Sequence, residues 1–516
     1  MAKRPCVFIV GAGPGDPGLI TVRGQRYLED ADVVVYDHHV HARLLRAARP
    51  DAEKIDVGPA APRPLDQDAI SLLLVEKARE GKMVVRLKWG DPFVFDSGGK
   101  EALFLHEQQI PFEVVPGIPA TIAVPTYAGI PITYPGAGDV VTLVRGHEAE
   151  TDDAPNVDWQ RLAGLDGTIV CYAGARQIGA IVQALVSNGR SPEESAALIY
   201  AGTTPAQETV VGALSEIARR ARQSDPAMLV IGAVAGLRDH LRWFDDRPLF
   251  GRRIVVTRSR EQAGELVDML EERGADAIQA PTIRIAPPED SDALDRACAE
   301  ASLYHWIVFT SANGVESFMH RLLETSDVRD LKGVRICAIG PSTAEHVRAY
   351  GIRVDLTPDE SRAEAVVEAL KGVGPVSGVR FLLPRADIAR EVLTDQLREA
   401  GADVTEVIAY RTLLAGGERD VDHDIYRMLL DRQIDAVTFT SASTVKNFAK
   451  ILGEEQAADL LNSTVVASIG PVTAEAAQQL GIATTVMPKK YTVPDLVDAL
   501  VEHFSTQAAV RSSAGL

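Results

Sequence analysis

Phe309-Thr310-Ser311-Ala312 and Phe439-Thr440-Ser441-Ala442 are the same four residues placed 130 positions apart. The same spacing relates Ile339-Gly340-Pro341 to Ile469-Gly470-Pro471, Thr343-Ala344-Glu345 to Thr473-Ala474-Glu475, and Gly351 to Gly481. Several matches in one register indicate an internal duplication. A neighbouring block repeats at a spacing of 127, pairing Arg258 with Arg385 and Gly274-Ala275-Asp276 with Gly401-Ala402-Asp403. In each copy an apolar run ends in a small polar turn that opens a helical pattern, so the repeat predicts two similar α/β lobes.

Outward from this repeat the pattern stays α/β. Strand-like runs such as Val33-Val34-Val35-Tyr36, Val84-Val85-Arg86-Leu87, Ile254-Val255-Val256 and Val465-Val466-Ala467 alternate with amphipathic stretches. Charge, proline and glycine interrupt the pattern at Asp245-Asp246-Arg247-Pro248-Leu249-Phe250-Gly251, which places a linker at 246–250. The Ser-, Ala- and Gly-rich ending, 506–516, reads as a frayed tail.

A chain of 516 residues exceeds one core. A net charge of −19, with no basic stripe to offset it, argues against nucleic acid and anionic membrane as partners. Cys6, Cys171, Cys298 and Cys337 lie too far apart for a Cys-x-x-Cys site, so no metal is expected. The apolar run after Lys3-Arg4 stops at Gly11-Ala12-Gly13, and the longest apolar stretch, Ala227 to Leu237, is far short of the ~20 residues a membrane span needs. A cytoplasmic protein is expected.

The turns Thr310-Ser311-Ala312-Asn313, Gly340-Pro341-Ser342-Thr343, Thr440-Ser441-Ala442-Ser443 and Gly470-Pro471-Val472-Thr473 put helix N-termini at strand ends, where anions bind. N-capping by Ser and Thr is the other reading of each turn. Ligands of open α/β sheets lie outside the strand C-termini, so a cleft between the lobes suits a carboxylate-rich molecule. Tyr410 in Ala409-Tyr410-Arg411-Thr412 stands where the first copy has Ile283, and this change from apolar to phenolic makes it the catalytic candidate. A packed strand tyrosine is the alternative.

Residues 251–505 resemble the uroporphyrinogen-III synthase family in Val256-Thr257-Arg258, Phe309 to Val315, Leu383-Pro384-Arg385-Ala386-Asp387, Ala409 to Thr412, Phe439-Thr440-Ser441, Ser468 to Thr473 and Tyr491-Thr492. The resemblance implies one discontinuous lobe, 251–280 with 413–505, around a second lobe, 281–412, joined by a paired-strand hinge. It further implies closure of linear hydroxymethylbilane to uroporphyrinogen III with inversion of ring D and without a cofactor. Because the linear substrate also cyclises spontaneously without inversion, catalysis must chiefly enforce a folded conformation. Tyr410 inherits the role of assisting departure of the hydroxyl, and Arg258 and Arg385 that of holding acetate or propionate groups. Thr310, Ser311, Asn313, Gly340, Thr343, Thr440, Ser441, Gly470 and Thr473 complete the expected cleft.

Residues 1–245 resemble the uroporphyrinogen-III C-methyltransferases, two-domain tetrapyrrole methylases that use S-adenosylmethionine. The matching stretches are Val10 to Leu19, Ala31 to Asp37, Gly90 to Phe95, Val115 to Ile118, Ala128 to Pro131 and Gly202 to Gln207. The implied subdomains are 1–134 and 135–245. The implied cofactor contacts are Pro14, Gly15, Asp16, Trp89, Gly90, Asp91, Val94, Ala120, Ala173 and Gly202, with Asp37 as acid–base residue. The fold class expected overall is therefore α/β, a two-domain methylase fold followed by a two-lobed synthase fold.

Departures from the methylase pattern fall where that family does chemistry. Pro59-Ala60-Ala61-Pro62-Arg63 replaces a basic stretch with a lysine, Asp96-Ser97 replaces Gly-Arg, Lys100 replaces a glutamate, Tyr134-Pro135 replaces His-Arg, Trp89 replaces a glycine, and Ala173 a methionine. Two readings of this half follow, a methylase with an altered site feeding sirohaem or cobalamin, and a silent domain that binds or channels intermediates. A non-enzymatic two-lobed tetrapyrrole-binding protein is a third reading of the whole chain. A homodimer formed through the N-terminal half is a further expectation from the resemblance.

Overall fold

The computed structural model describes residues 6–513 except 60, 62–63, 138, 147–153, 175, 223–226, 359–362, 388–391 and 415–423. Its strands form four sheets. β1 (Val7–Gly11), β2 (Val33–Tyr36), β3 (Glu53–Asp56), β4 (Val84–Lys88) and β5 (Phe112–Val115) lie in the order β3-β2-β4-β1-β5, every pair parallel. Helices on both faces bury these strands, which explains why β1 is apolar throughout. β6 (Val141–Gly146), β7 (Thr168–Ala173), β8 (Ser195–Tyr200), β9 (Glu208–Ala213) and β10 (Ala227–Ile231) follow in the order β6-β7-β10-β8-β9. Only β6 and β7 run parallel here.

The third sheet joins β11 (Arg253–Val256), β12 (Asp276–Gln279), β18 (Ala436–Phe439) and β19 (Val465–Ser468), ordered β12-β11-β18-β19 and all parallel. Inserted between its first and last strand pairs is a fourth sheet, β13 (Ile283–Ala286), β14 (Trp306–Phe309), β15 (Arg335–Ala338), β16 (Arg380–Ala386) and β17 (Asp403–Leu414), ordered β13-β17-β16-β14-β15. β17 runs antiparallel to β13 and parallel to β16, so the chain enters and leaves this lobe along paired strands. The 130-residue repeat is visible in three dimensions. Phe309 packs edge-on against Phe318 and Phe439 against Phe448, each pair 5.8 Å apart at its ring centres.

Two expectations need correction. Segment 246–250 is packed rather than solvent-borne, because Leu249 is fully buried in the core of the third sheet. The Phe250 ring lies 5.3 Å from that of buried Phe244, and the Arg247 guanidinium lies 5.0 Å over Trp243. The chain end is helical from Val493 to Ser513, whereas fraying was expected from Thr506; the Leu496, Val497, Leu500 and Phe504 stripe packs on the third sheet and holds the preceding turns. The apolar stretch after Ala227 is a strand followed by a 3₁₀ turn, Ala233–Leu237, and no described helix is long and apolar enough to cross a membrane.

Candidate functional sites

The synthase-like cleft is built from four strand–turn–helix units. β14 and β18 lead through Ser311 and Ser441 into helices Ala312–Thr325 and Ala442–Leu452, and both serines cap: Ser311 Oγ accepts Gly314 N–H at 3.0 Å, and Ser441 Oγ accepts Thr444 N–H at 3.2 Å. β15 and β19 lead through Gly340 and Gly470 into helices opened by Pro341 and Pro471, with no side-chain cap. Adjacent turns are tied together, Ile339 N–H to Phe309 O at 3.0 Å and Ile469 N–H to Phe439 O at 2.9 Å. Thr310 and Thr440 are half-buried at these turns, whereas Thr343 and Thr473 are buried in the first helical turn. The last two are packing residues here.

Tyr410 owes its direction to an irregularity in β17. Arg385 pairs with Ile408 and Ala386 with Tyr410, so Ala409 is an extra residue and the alternation breaks. Ile408 is 47% exposed, while Ala409 and Tyr410 are both buried. The bulge turns the phenol to the start of helix Ala312–Thr325, where its hydroxyl lies 3.0 Å from Ser311 Oγ, with Asn313 in the same turn. Burial pushes the phenol above its ordinary range, against the smaller pull of Ser311 and Asn313. Ser311, Asn313 and Tyr410, predicted separately, thus form one cluster.

Across the cleft, Arg258 follows β11 and is half-buried with no carboxylate in ion-pair reach among the described residues. Burial pulls its guanidinium below the usual value, with Glu265 acting weakly in the opposite sense. Its Nε donates to Gln262 Oε1 at 3.2 Å, and Gln262 Nε2 donates to Asn313 Oδ1 at 3.2 Å. Beside it, Ser259 Oγ is buried without a hydrogen-bond partner. Arg385 differs from the expectation placed on it. Its guanidinium is engaged by Glu406 and by Thr394 Oγ1 at 3.3 Å, so this cation is neutralised within its own lobe.

In the N-terminal half the end of β1 meets the ends of β4 and β5. Ala12 N–H donates to Lys88 O at 2.8 Å, and Gly13 and Gly90 exchange backbone bonds of 3.2 and 2.9 Å, both at positive φ. Gly117 lies so close that an added Cβ would stand 2.1 Å from Gly90 O. Asp91 Oδ2 accepts Gly117 N–H at 3.0 Å, and Ala120 opens the next helix. On the other side, Asp16 N–H donates to Thr203 Oγ1 at 3.3 Å, bringing the Pro14-Gly15-Asp16 loop against Gly202. Asp16 Oδ2 also accepts the Tyr127 hydroxyl at 2.8 Å. Val94 N–H bonds Asp91 O at 3.4 Å, and Ala173 ends β7 beside Tyr172. The Trp89 ring sits 5.9 Å from Tyr172 and 6.4 Å from His39, filling space between the two sheets. Of the segment replacing the basic stretch, Ala60, Pro62 and Arg63 lie outside the described residues.

Asp37, the expected acid–base residue, sits within a cluster of charges. Arg86, on β4 and 1% exposed, bonds one Asp37 oxygen, and the other accepts Trp89 N–H at 3.1 Å. Lys88 Nζ lies 3.8 Å from Asp37, 3.0 Å from Asp96 and 3.3 Å from Glu101, and Arg86 Nε bonds Glu101 at 3.2 Å. Burial opposes the Asp37 charge, but Arg86 and Lys88 outweigh it and hold the carboxyl below its usual range. Asp96 moves the other way, raised by burial and by Asp37 despite Lys88. Two cations therefore serve three carboxylates. Sequence reasoning missed this cluster, although Arg86 and Lys88, two apart in an otherwise apolar strand, were its signal.

Residues 264–498 match the family model for uroporphyrinogen-III synthase HemD, and 6–218 that for tetrapyrrole (corrin/porphyrin) methylases. The chain is 35% identical to the porphyrin biosynthesis protein HemD of Ruminiclostridium josui over 96% of its own length and 97% of that protein. It is 36% identical to the uroporphyrinogen-III C-methyltransferase of Bacillus subtilis, over 71% of this chain and 76% of that one. A crystal structure of a Thermus thermophilus uroporphyrin-III C-methyl transferase complexed with S-adenyl homocysteine shares 36% identity and a TM-score of 0.38, covering 44% of this chain and 92% of that one.

Proposed function

Because the chain belongs to the family of the porphyrin biosynthesis protein HemD, a fusion of a tetrapyrrole methylase domain with a uroporphyrinogen-III synthase domain, we propose that its working activity is the synthase. Hydroxymethylbilane is the substrate and uroporphyrinogen III the product. The observation that carries the proposal is the facing pair across the cleft, Arg258, with no carboxylate in ion-pair reach among the described residues, on one side and the Ser311–Asn313–Tyr410 cluster on the other.

Arg258 holds a substrate carboxylate, since a desolvated guanidinium without a counter-ion gains most from an anion. The uncapped helix starts at Gly340 and Gly470 offer further N–H donors to the acidic side chains. Tyr410, a neutral donor whose hydroxyl is fixed by Ser311, hydrogen-bonds the departing hydroxyl of the substrate. Closure of the lobes about β13 and β17 excludes water and folds the chain of rings.

For the N-terminal half, the Gly13–Gly90 crossing and the Gly117 approach form a backbone cradle that fits S-adenosylmethionine, held by Pro14, Gly15, Asp16, Gly90, Asp91, Ala120 and Gly202. That cofactor supplies an electrophilic methyl group. The residues around it are poorly suited to take up the proton that C-methylation releases: both Asp37 oxygens are bonded, and Arg86 and Lys88 hold the carboxyl below its usual range against the effect of burial. Trp89 occupies part of the space between the sheets. This half is accordingly a cofactor-binding partner that does not turn over. Cytoplasmic residence and a homodimer through this half belong to the same proposal.

The test is direct. Fresh hydroxymethylbilane should yield the type III isomer by isomer-resolving chromatography, and uroporphyrinogen III with methyl-labelled S-adenosylmethionine should incorporate no label above a no-enzyme control. Type I product alone, or methyl incorporation, overturns the corresponding half of the reading.

A further inference from the structure

Gln262 is a two-ended connector. Helix Arg260–Glu272 begins just after β11, with Arg258 in the turn before its N-cap Ser259 and Gln262 in its first turn. The amide oxygen accepts Arg258 Nε at 3.2 Å, and the amide nitrogen reaches the other lobe to donate to Asn313 Oδ1 at 3.2 Å. Asn313 sits in the first turn of the helix that Ser311 caps, and Ser311 Oγ lies 3.0 Å from the Tyr410 hydroxyl. Asn313 is buried, so its orientation is fixed by these partners rather than by water. A run of contacts thus links Arg258 on the third sheet, through Gln262, Asn313 and the turn that Ser311 caps, to the phenol on the fourth.

We propose that Gln262 is a positioning residue of the synthase site, which links the two lobes across the cleft and sets Asn313, and through it Tyr410, in register with the carboxylate held by Arg258. An amide suits this place because it presents an acceptor to Arg258 and a donor to Asn313 at once. Glutamate keeps the first and loses the second; methionine keeps the shape and loses both. The inference rests on the synthase reading for its kinetic arm and stands independently of it for its structural arm.

The experiment uses the full chain carrying Gln262→Met and Gln262→Glu. Gln262 is half-buried, so neither change disturbs a core. One neutral hydrogen bond contributes about 0.5–1.5 kcal/mol, so kcat should fall roughly 3- to 10-fold. The share of type I product should rise; KM for hydroxymethylbilane should stay within about threefold for Gln262→Met and rise further for Gln262→Glu, whose carboxylate competes with the substrate for Arg258. Compared at equal concentrations of folded enzyme, a purely structural role would leave both kcat and the isomer ratio unmoved. In the ligand-free protein, spin labels at Arg348→Cys and Gln478→Cys, exposed on helices of the two lobes, should show a broader, longer distance distribution in both variants. Wild-type kcat and isomer ratio in both variants, or unchanged distances, overturn the proposal. If the unsubstituted enzyme forms only type I, the synthase reading fails instead, and the distance measurement alone decides the link.

Discussion

Replacing Tyr410 with Phe separates packing from chemistry at the centre of the synthase site. The ring is 7% exposed and lies within the core that includes Val315, Val407 and Ala409, and Phe preserves that packing. What disappears is the hydroxyl and its 3.0 Å bond to Ser311 Oγ. Ser311 keeps its capping bond to Gly314 N–H and Asn313 Oδ1 keeps its Gln262 donor, so folding should lose at most about 1 kcal/mol. Catalysis should lose more. A hydrogen bond to a group that gains charge contributes about 1.5–3 kcal/mol, which corresponds to a roughly 10- to 150-fold fall in kcat. Initial rates of type III formation, measured beside urea midpoints on the same preparations, distinguish the two. A rate within twofold of the parent at unchanged stability refutes the assignment of Tyr410.

Arg258→Met should raise KM for hydroxymethylbilane about tenfold or more with a smaller change in kcat, because the lost interaction forms on binding; an unchanged KM removes Arg258 from the substrate site. Arg86→Met should destabilise the N-terminal half by about 3–5 kcal/mol, read from urea unfolding, since it strands Asp37 and the fully buried Glu101 with Lys88 alone. Adding Glu101→Gln should restore part of that loss, and a cost below about 1 kcal/mol contradicts the structural role of the cluster. Where the two halves meet, Arg43 faces both Asp268, at 2.5 Å, and Glu271. One arginine serves two acids, and Arg43 is itself drawn up by both carboxylates. Burial nevertheless pushes Glu271 up to about 7, helped by Asp268, Asp16 and Asp276 and opposed by Arg43. Its folded pKa exceeds the ordinary value of 4.5, so stability should fall as pH climbs from about 4.5 to 7, by on the order of 1 kcal/mol, and level off above. Glu271→Gln should abolish that slope in thermal melts, and an identical slope in the variant rejects the account.

The sequence carried the fold far because the repeat pins strand ends to turns. Phe309, Phe439, Ile339 and Ile469 end or follow the strands that their repeat predicts. Boundaries failed where tertiary packing overrides local composition. Pro248 and Gly251 read as a linker, but Leu249 fills a core pocket, and a polar ending stayed helical on a buried stripe. The site was legible residue by residue and not as pairs. Asp37, read as an acid–base residue, is neutralised by Arg86 from the adjacent strand, and Arg385, read as a substrate cation, by Glu406 from the strand beside its own. Such partners are distant in sequence, and one sequence holds no sign of which carboxylate will face which cation. The bulge that aims Tyr410 is equally silent, because one extra residue in a strand leaves no mark in composition. Gln262 escaped notice since an amide on an exposed-looking helix reads as solvent-facing until the second lobe is set against it.

The most direct test supplies hydroxymethylbilane together with methyl-labelled S-adenosylmethionine to the full chain and resolves the products by isomer and mass. The account predicts type III uroporphyrinogen without added methyl groups. Type I product alone contradicts the synthase assignment, and methylated type III shows that the Asp37–Arg86 pair leaves the N-terminal half competent after all.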